Sequence, residues 1–385
     1  MKNLILITNS GSSSVRIKIF DNKLNQLFSG RVERISLLNS FLNYQEKNSR
    51  QKTINYTQGV KNHAMALKLL IEVIPQKIYD EIKVIGHRVV HGGEDFQRLT
   101  KVTPGVLKKL EKYNKLAPLH NPINLKVIKE LQKHFNEVDH FAMFDTVFFR
   151  TMPDYTFLYS LPLKFYDQYK IRKFGFHGLS HQNMLDYASQ KLKMGQNKLN
   201  LITCHLGGGS SISLIKNGQA FDTSMGFTPL EGVTMSTRSG DLDPAVIIYL
   251  IKDLKLKIDE VKDLLNFESG VFGISGLSDL REVLQAAGHR VKGFKLKRKF
   301  NDKERKLAKL ALKIFIYDIQ RYITSYAGFC KKINAIVFSG AIGNNHEVVR
   351  SLIMNEMYFR DKPRVIICPT KEEQVIASNI LKLIK

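Results

Sequence analysis

Two stretches of this chain share one arrangement of apolar and polar positions. In residues 3 to 20, NLILITNSGSSSVRIKIF, two apolar runs rich in β-branched residues flank a short polar loop, the pattern of strand, tight turn and strand. Residues 199 to 215, LNLITCHLGGGSSISLI, repeat it around a glycine and serine turn, which predicts an internal duplication near the starts of two α/β domains. A third apolar run opens Ile336 to Asn345 (IVFSGAIGNN) and predicts a buried strand entering a glycine loop ahead of a helix. Elsewhere the period lengthens. Leu312, Phe315, Ile316, Ile319, Tyr322, Ile323 and Tyr326 recur at helical spacing within Asp302 to Tyr326, so that stripe is expected in a core. The run Leu4 to Ile7 is too short for a signal-peptide core and reads as a strand. No stretch approaches the roughly 20 apolar residues of a bilayer span.

A chain of 385 residues exceeds what one hydrophobic core holds and predicts two domains. Hydrophobic residues at 43% and charged residues at 24% are ordinary globular usage, which excludes a disordered or fibrous chain. The 59 Lys and Arg against 35 Asp and Glu leave a net charge of +24. Such a field favours anionic partners: nucleic acid, an anionic membrane surface, or small phosphorylated or carboxylated substrates. Ten of the cations lie between Arg290 and Lys309 against two acids, a tract that reads as solvated surface beside the helix, with a nucleic-acid groove as the alternative. Cys204, Cys330 and Cys368 are odd in number, far apart and without metal-ligand spacing, so a reducing cytoplasmic home is expected.

The two turns carry the first candidate chemistry. Ser10, Ser12, Ser13 and Ser14 in one, and Gly207 to Ser211 in the other, would expose backbone N–H groups and hydroxyls in a concavity suited to phosphate oxygens. An ordinary hairpin explains either alone; their recurrence points to phosphate handling. The patterns GxxxxGK[ST] and GxGxxG and the HRD and DFG motifs of protein kinases are absent. Arg88 in IGHRVVHGG and Arg238 in MSTRSGDLDP offer planar guanidinium groups that suit carboxylate or phosphate, or else ordinary ion pairs. His120 in LAPLHNPIN, Asp145 in MFDTVFF and His177 in FGFHGLSH stand in short loops after apolar runs, where each is a candidate for chemistry or for structural hydrogen bonding.

Taken in order, NSGSSS, GHRVVHGG, LAPLHNP, FDT followed by TMP, FGFHGLSH, CHLGGGSS, DTSMGFTPLEG, TRSGDLDP and PTKEE resemble the acetate kinase family, over residues 9 to about 377. The resemblance implies an α/β fold of two duplicated actin-like (ribonuclease H-like) ATPase domains with an active-site cleft between them. Residues 1–149 with 373–385 would form the N-terminal domain, and 150–372 the C-terminal domain with the nucleotide loops and a dimer interface. The implied reaction is reversible phosphoryl transfer, ATP plus acetate giving ADP plus acetyl phosphate, with Mg²⁺ required and Mn²⁺ as an alternative. Its partners would be acetate or acetyl phosphate and adenine nucleotide, in a cytoplasmic homodimer with no specific nucleic acid and no membrane. Acetate arrives ionised, so no general base is needed; positive charge must offset the repulsion between carboxylate and phosphoryl group.

The resemblance also implies roles for single residues. Arg88 and Arg238 would grip acetate and the transferring phosphoryl group, and His177, with His120 beside it, would donate to an equatorial oxygen. Asp145 would act electrostatically or in the metal shell. Asn9 and Glu372 fall at the magnesium positions, with Glu94 a further acidic candidate, and Val90, Leu119, Phe176 and Pro229 at a pocket for the methyl group. On the nucleotide side stand Ser12, Ser14 and Arg16 of the first turn, and His205, Leu206, Gly207, Gly208 and Gly209 of the phosphate loop. Asp279, Leu280 and Arg281 match a nucleotide-contacting turn, and Ala341, Ile342, Gly343, Asn344 and Asn345 the adenosine loop. Departures from the family pattern gather there: Arg16 for lysine, Gly208 for asparagine, Leu280 for phenylalanine, and Ala341 and Asn344 for the glycine and glutamate of AGIGEN. Elsewhere Ile123, Ser236 and the pair Phe149–Arg150 depart. Gly208 resembles the butyrate kinases. A propionate or butyrate kinase, and a catalytically inactive polyanion-binding module, are the alternatives.

Overall fold

The computed structural model describes residues 3–294 and 298–384, so Lys295 to Lys297 of the basic tract lie outside the described residues. The chain forms two compact units, residues 1–147 with 371–385, and residues 148–370.

The first unit is built on β1 (Leu4–Gly11), β2 (Ser14–Phe20), β3 (Gln26–Glu33), β4 (Ser40–Glu46), β5 (Lys52–Tyr56), β6 (Ile82–Val89), β7 (Thr100–Lys101) and β8 (Asp139–Phe144). They form one sheet in the order β5-β4-β3-β2-β1-β6-β8-β7, with β1 to β5 an antiparallel meander and β6 and β8 parallel to β1. Strand β2 alternates as its sequence predicts: Val15, Ile17 and Ile19 are buried while Ser14, Arg16 and Lys18 stay partly exposed. Helices α1 (His63–Glu72) and α2 (Asn121–His134) cover one face, packing Leu67, Leu70, Val127 and Leu131 against Leu6, Val15, Ile17 and Phe28. The helix Glu372–Ile384 covers the opposite face. A Cβ on Gly86 of β6 would stand 2.8 Å from Ile376 and Ile380, so the missing side chain lets that helix settle onto the strand.

The second unit contains β9 (Leu201–Leu206), β10 (Ser210–Lys216), β11 (Gln219–Thr223), β12 (Ala335–Ser339) and β13 (Arg364–Ile367), in the order β11-β10-β9-β12-β13. Strands β9 to β11 are antiparallel; β12 and β13 run parallel to β9. Order and direction repeat those of β3-β2-β1-β6-β8, so the duplication legible in two turns extends to five strands of each sheet. Helix α3 (Gly178–Leu192) packs Met184, Leu185 and Ala188 against Leu201, Ile215, Ala335 and Val337. Helix α4 (Asp302–Ala327) opens with a capping box between Asn301 and Glu304 and buries its stripe, with Tyr322 only partly covered.

One element differs from the sequence expectation. Strand β12 runs directly into the short helix Gly340–Asn345, so the expected glycine loop is a helical turn. Arg350 explains the override of propensity: its Nη1 donates to the carbonyls of Gly343 and Asn344 at 2.7 and 2.9 Å, satisfying acceptors at the helix end. In the basic tract, Arg298 pairs with Glu304 at 2.6 Å and Arg305 donates to the Phe300 carbonyl at 3.1 Å. Among the described residues no helix is long and apolar enough to cross a membrane.

Candidate active site

In the first unit, Asn9, Arg88 and Asp145 stand at the carboxyl ends of β1, β6 and β8, where parallel strands of open α/β sheets present their ligand-binding residues. Glu372 and Glu373 join them from the start of the last helix. Arg88 Nε donates to Asp145 Oδ1 at 3.0 Å and Nη2 to Oδ2 at 2.6 Å, a two-pronged fork on a carboxylate that is 1% exposed. Its Nη1 lies 3.1 Å from both Asn9 Oδ1 and Glu372 Oε2. Burial acts to lower the pKa of Arg88, but Asp145 and Glu372 outweigh it and push the pKa above the ordinary arginine value. Asn9 Nδ2 donates to Glu372 and Glu373, both at 3.2 Å. Burial acts to raise the pKa of Glu373, yet Lys18 at 3.0 Å and Arg16 at 3.3 Å prevail and hold it at about 2.

The inner group of Asn9, Arg88, Asp145 and Glu372 therefore carries two negative charges against one positive. Its amide and carboxylate oxygens are the hard donors that Mg²⁺ accepts, and that ion needs only one or two carboxylates beside its own waters. Among the described residues no cluster of three His, Cys, Asp or Glu side chains offers a complete metal cage, so a bound cation would keep ligands from water or substrate.

Neighbouring loops are fixed by two buried asparagines of α2. Asn124 accepts from the Val90 N–H at 3.1 Å and donates to the Ser10 hydroxyl at 2.9 Å; Asn121 accepts from the His91 N–H at 3.0 Å and donates to its carbonyl at 2.9 Å. They tie the ends of β1 and β6 to one helix. His120 is the N-cap position of α2, Leu119 just before it is half-buried, and Val90 is buried. Glu94 lies on a half-exposed turn after β6, and Ser12 is exposed at the tip of the β1–β2 hairpin, where Gly11 pairs with Ser14.

In the second unit, His177 begins α3 in the left-handed region, φ 57°, uncommon for a residue with a side chain. Its Nδ1 lies 3.0 Å from Ser211 Oγ, and its ring stacks on His205 with centroids 4.2 Å apart. His205 Nδ1 lies 2.8 Å from Ser180 Oγ. The Gly207–Gly209 turn joins β9 to β10. A Cβ on Gly209 would stand 3.4 Å from both His177 Nε2 and Arg238 Nη1, so the bare turn is what lets these two groups converge on it. Arg238 Nη1 donates to the Pro229 carbonyl at 3.1 Å. Pro229 in turn sits in a segment anchored by Tyr159, whose hydroxyl donates to Glu231 and accepts from the Phe227 N–H at 2.8 Å. Among the described residues no carboxylate pairs with Arg238, and burial lowers its pKa. Phe176 is buried.

The expected nucleotide residues divide by what their side chains touch. Leu206, Leu280 and Ile342 belong to the hydrophobic core of the second unit, so only their backbones face outward. Asp279 caps its helix by accepting from the Arg281 N–H at 2.9 Å and takes the Arg281 guanidinium, which also lies over the Phe294 ring. Gly208, Ala341 and Asn345 are exposed.

Sequence reasoning passed over Glu373, the two asparagines of α2, Arg350 and His181. Fully buried His181 lies 2.8 Å from Ser211 Oγ through Nε2 and 2.7 Å from Thr203 Oγ1 through Nδ1. The i, i+4 spacing of His177 and His181 on one helix face was the available signal.

The model of the Acetokinase family matches residues 4–362. The chain is 40% identical to an acetate kinase of Caldicellulosiruptor saccharolyticus over 99% of both chains. The crystal structure of Porphyromonas gingivalis acetate kinase superposes with a TM-score of 0.85 at 34% identity, covering 100% of both chains. That of a propionate kinase from Francisella tularensis gives 0.87 at 32% identity, covering 98% of both.

Proposed function

The chain belongs to the acetokinase family, phosphotransferases with a carboxyl group as acceptor and a duplicated actin-like fold, and from that premise we propose that it is an acetate kinase interconverting ATP and acetate with ADP and acetyl phosphate. The observation that carries the reading is Arg238: a guanidinium with no carboxylate partner among the described residues, held beside a bare glycine turn and His177. Such a cation is costly to bury unless an anion completes it.

The carboxylate oxygen of acetate attacks the terminal phosphorus of ATP in line and the bond to the bridging oxygen breaks, with ADP leaving. Arg238 and the His177 N–H neutralise charge on the transferring group, and His120 assists. Arg88 is already forked by Asp145, so we assign it to orienting acetate from a fixed position rather than to supplying net charge. Asn9, Glu372 and Asp145 would hold Mg²⁺, or Mn²⁺, which supplies Lewis-acid neutralisation of the phosphate oxygens. Val90, Leu119, Phe176 and Pro229 would receive the methyl group. Ser12, Ser14, Arg16, the turn at His205–Gly209, Asp279–Arg281 and the helical residues Ala341–Asn345 would contact the nucleotide.

We also propose a cytoplasmic homodimer. The helix Pro244–Lys252, PAVIIYLIK, is apolar yet buries none of its residues within the chain, and Ile248, Tyr249, Leu254 and Ile258 stand exposed around it. A second copy would cover that surface. The separated cysteines are consistent with a reducing compartment.

The test is trapping of the acyl phosphate as hydroxamate over a matrix of ATP, GTP and pyrophosphate with acetate, propionate and butyrate. The expected result is the highest kcat/KM for ATP with acetate, and a loss for propionate matching about 1 to 3 kcal/mol for one methylene. A preference for butyrate, or no acyl phosphate with any donor, would overturn the assignment.

A further inference from the structure

The hydrogen bond from Arg238 Nη1 to the Pro229 carbonyl joins two segments that are held by separate means. The loop that carries Arg238 is closed at its base by Asp241, whose Oδ1 accepts from the Gly232 N–H at 2.8 Å and whose own N–H donates to the Gly232 carbonyl at 2.8 Å. Within the loop, the Arg238 carbonyl accepts from the Met235 N–H at 3.1 Å. These contacts fix the backbone of Arg238 but do not set the torsions of its long side chain. Among the described residues, the bond to Pro229 is the one hydrogen bond that the guanidinium makes.

What fixes Pro229 is therefore what aims the cation. Pro229 stands midway along an arch, Phe227 to Glu231, and both ends of the arch meet one hydroxyl: Tyr159 Oη accepts from the Phe227 N–H at 2.8 Å and donates to the Glu231 carboxylate. Burial, reinforced by Glu231, pushes the pKa of Tyr159 above the ordinary tyrosine value, so the hydroxyl keeps the proton it donates. Gly226, just before the arch, makes room for this pairing, since a Cβ there would collide with both Tyr159 Oη and Glu231. Gly226 is itself anchored elsewhere: its carbonyl accepts from the Phe174 N–H at 2.9 Å. Loss of the Tyr159 hydroxyl would free the arch and its middle residue while the chain before it stays in place.

We infer that Tyr159 and Glu231 are positioning residues: they pin the arch so that the Pro229 carbonyl holds the Arg238 guanidinium at the bare turn of Gly209. A single neutral carbonyl suits that task. It restricts the arginine without cancelling its charge, whereas a carboxylate partner would orient the side chain and neutralise it at once. The inference rests on the proposed place of Arg238 at the transferring phosphoryl group.

Acyl phosphate trapping with ATP and acetate tests this on the full-length protein, in a cycle with Arg238→Ala. Tyr159→Phe keeps the ring and removes the hydroxyl; it should lower kcat about 10- to 100-fold, the loss expected for misplacing a functional group by about 1 Å, with KM values within about twofold. In the Arg238→Ala background the same change should alter kcat by no more than about twofold, since the arch then has no guanidinium to hold. Glu231→Met, which offers Tyr159 no oxygen, should lose about as much as Tyr159→Phe, and Glu231→Gln, which offers one, at least about threefold less. An equal loss in both backgrounds, or a loss under about threefold for Tyr159→Phe, would overturn the inference. Crystal structures of Tyr159→Phe and Glu231→Met give a readout independent of rate: Arg238 Nη1 should leave the Pro229 carbonyl, and a guanidinium still bonded to it in both would equally overturn the inference. If the wild type forms no acyl phosphate, or Arg238→Ala alone keeps kcat within about tenfold, the functional reading fails instead, and the structures still decide whether Tyr159 and Glu231 hold the guanidinium.

Discussion

Glu373→Gln is the most informative single change in the first unit. Glu373 is 1% exposed, accepts from Asn9 at 3.2 Å, and pairs with Lys18 at 3.0 Å and Arg16 at 3.3 Å. Its carboxyl is held at about 2 against an ordinary 4.5. At about 1.4 kcal/mol per unit, that depression corresponds to about 3 kcal/mol of folding stability. The sign follows from proton counting: between about pH 2 and 4.5 the unfolded chain binds the proton and the folded one does not, so the contribution is complete above the unfolded value and is lost as pH falls through the folded one. Glutamine keeps the volume and removes the charge, leaving Lys18 and Arg16 without their counter-ion. Urea unfolding followed by circular dichroism at pH 7 should show a loss of about 3 kcal/mol. Because neither end of the titration lies near neutrality, the gap between wild type and variant should be the same at pH 6 and pH 8. In a cycle with Lys18→Met, the double variant should recover at least about 1 kcal/mol of the summed losses. A loss under about 1 kcal/mol, a gap that changes between pH 6 and 8, or strict additivity would each refute the charge assignment.

Further outcomes follow from the second unit. Arg238→Ala should lower kcat by about 10³- to 10⁵-fold, the range for an arginine that stabilises a transferring phosphoryl group, with thermal stability unchanged or raised; a purified folded variant losing less than tenfold would remove Arg238 from that role. Gly209→Ala places a methyl 3.3 to 3.4 Å from His177 and Arg238, and displacing either should cost up to about 100-fold in kcat with little change in melting temperature, measured in parallel. Ile248→Glu on the exposed apolar helix should convert the dimer to monomer in light scattering; an unchanged mass, or a monomeric wild type, would end that assignment.

What the sequence made legible follows from where polar residues interrupt apolar runs. The β1–β2 and β9–β10 hairpins stood out because Ser12–Ser13 and Gly207–Gly209 break strands rich in isoleucine and leucine, and the α4 stripe because seven apolar positions keep helical period. Arg88, Asp145 and His177 were legible as strand or loop residues, and Asn9 only through the family resemblance. The Glu373 pairing was not, since Asn9 and Glu373 are 364 residues apart and only the packing of the last helix on Gly86 joins them. Residues Gly340–Asn345 looked like a loop because helix propensity penalises their glycines; Arg350, which is not part of that segment, overrides it. The tie between His177 and His181 runs through Ser211 on β10, and no spacing in one segment foretells a hydroxyl from another.

Residues 371–385 belong to the first unit, although roughly 220 residues of the second are synthesised before them. At roughly 5 to 20 residues per second, translation leaves residues 1–147 waiting some tens of seconds for their last helix. In that interval the Ile7 and Gly86 face of the sheet lies bare, and Arg88 can pair with Asp145 but not with Glu372. Until that helix is made, a nascent chain lacks the Glu372 carboxylate that meets Arg88 and Asn9. The order of synthesis thus leaves this buried polar cluster incomplete until a segment from beyond the whole second unit arrives.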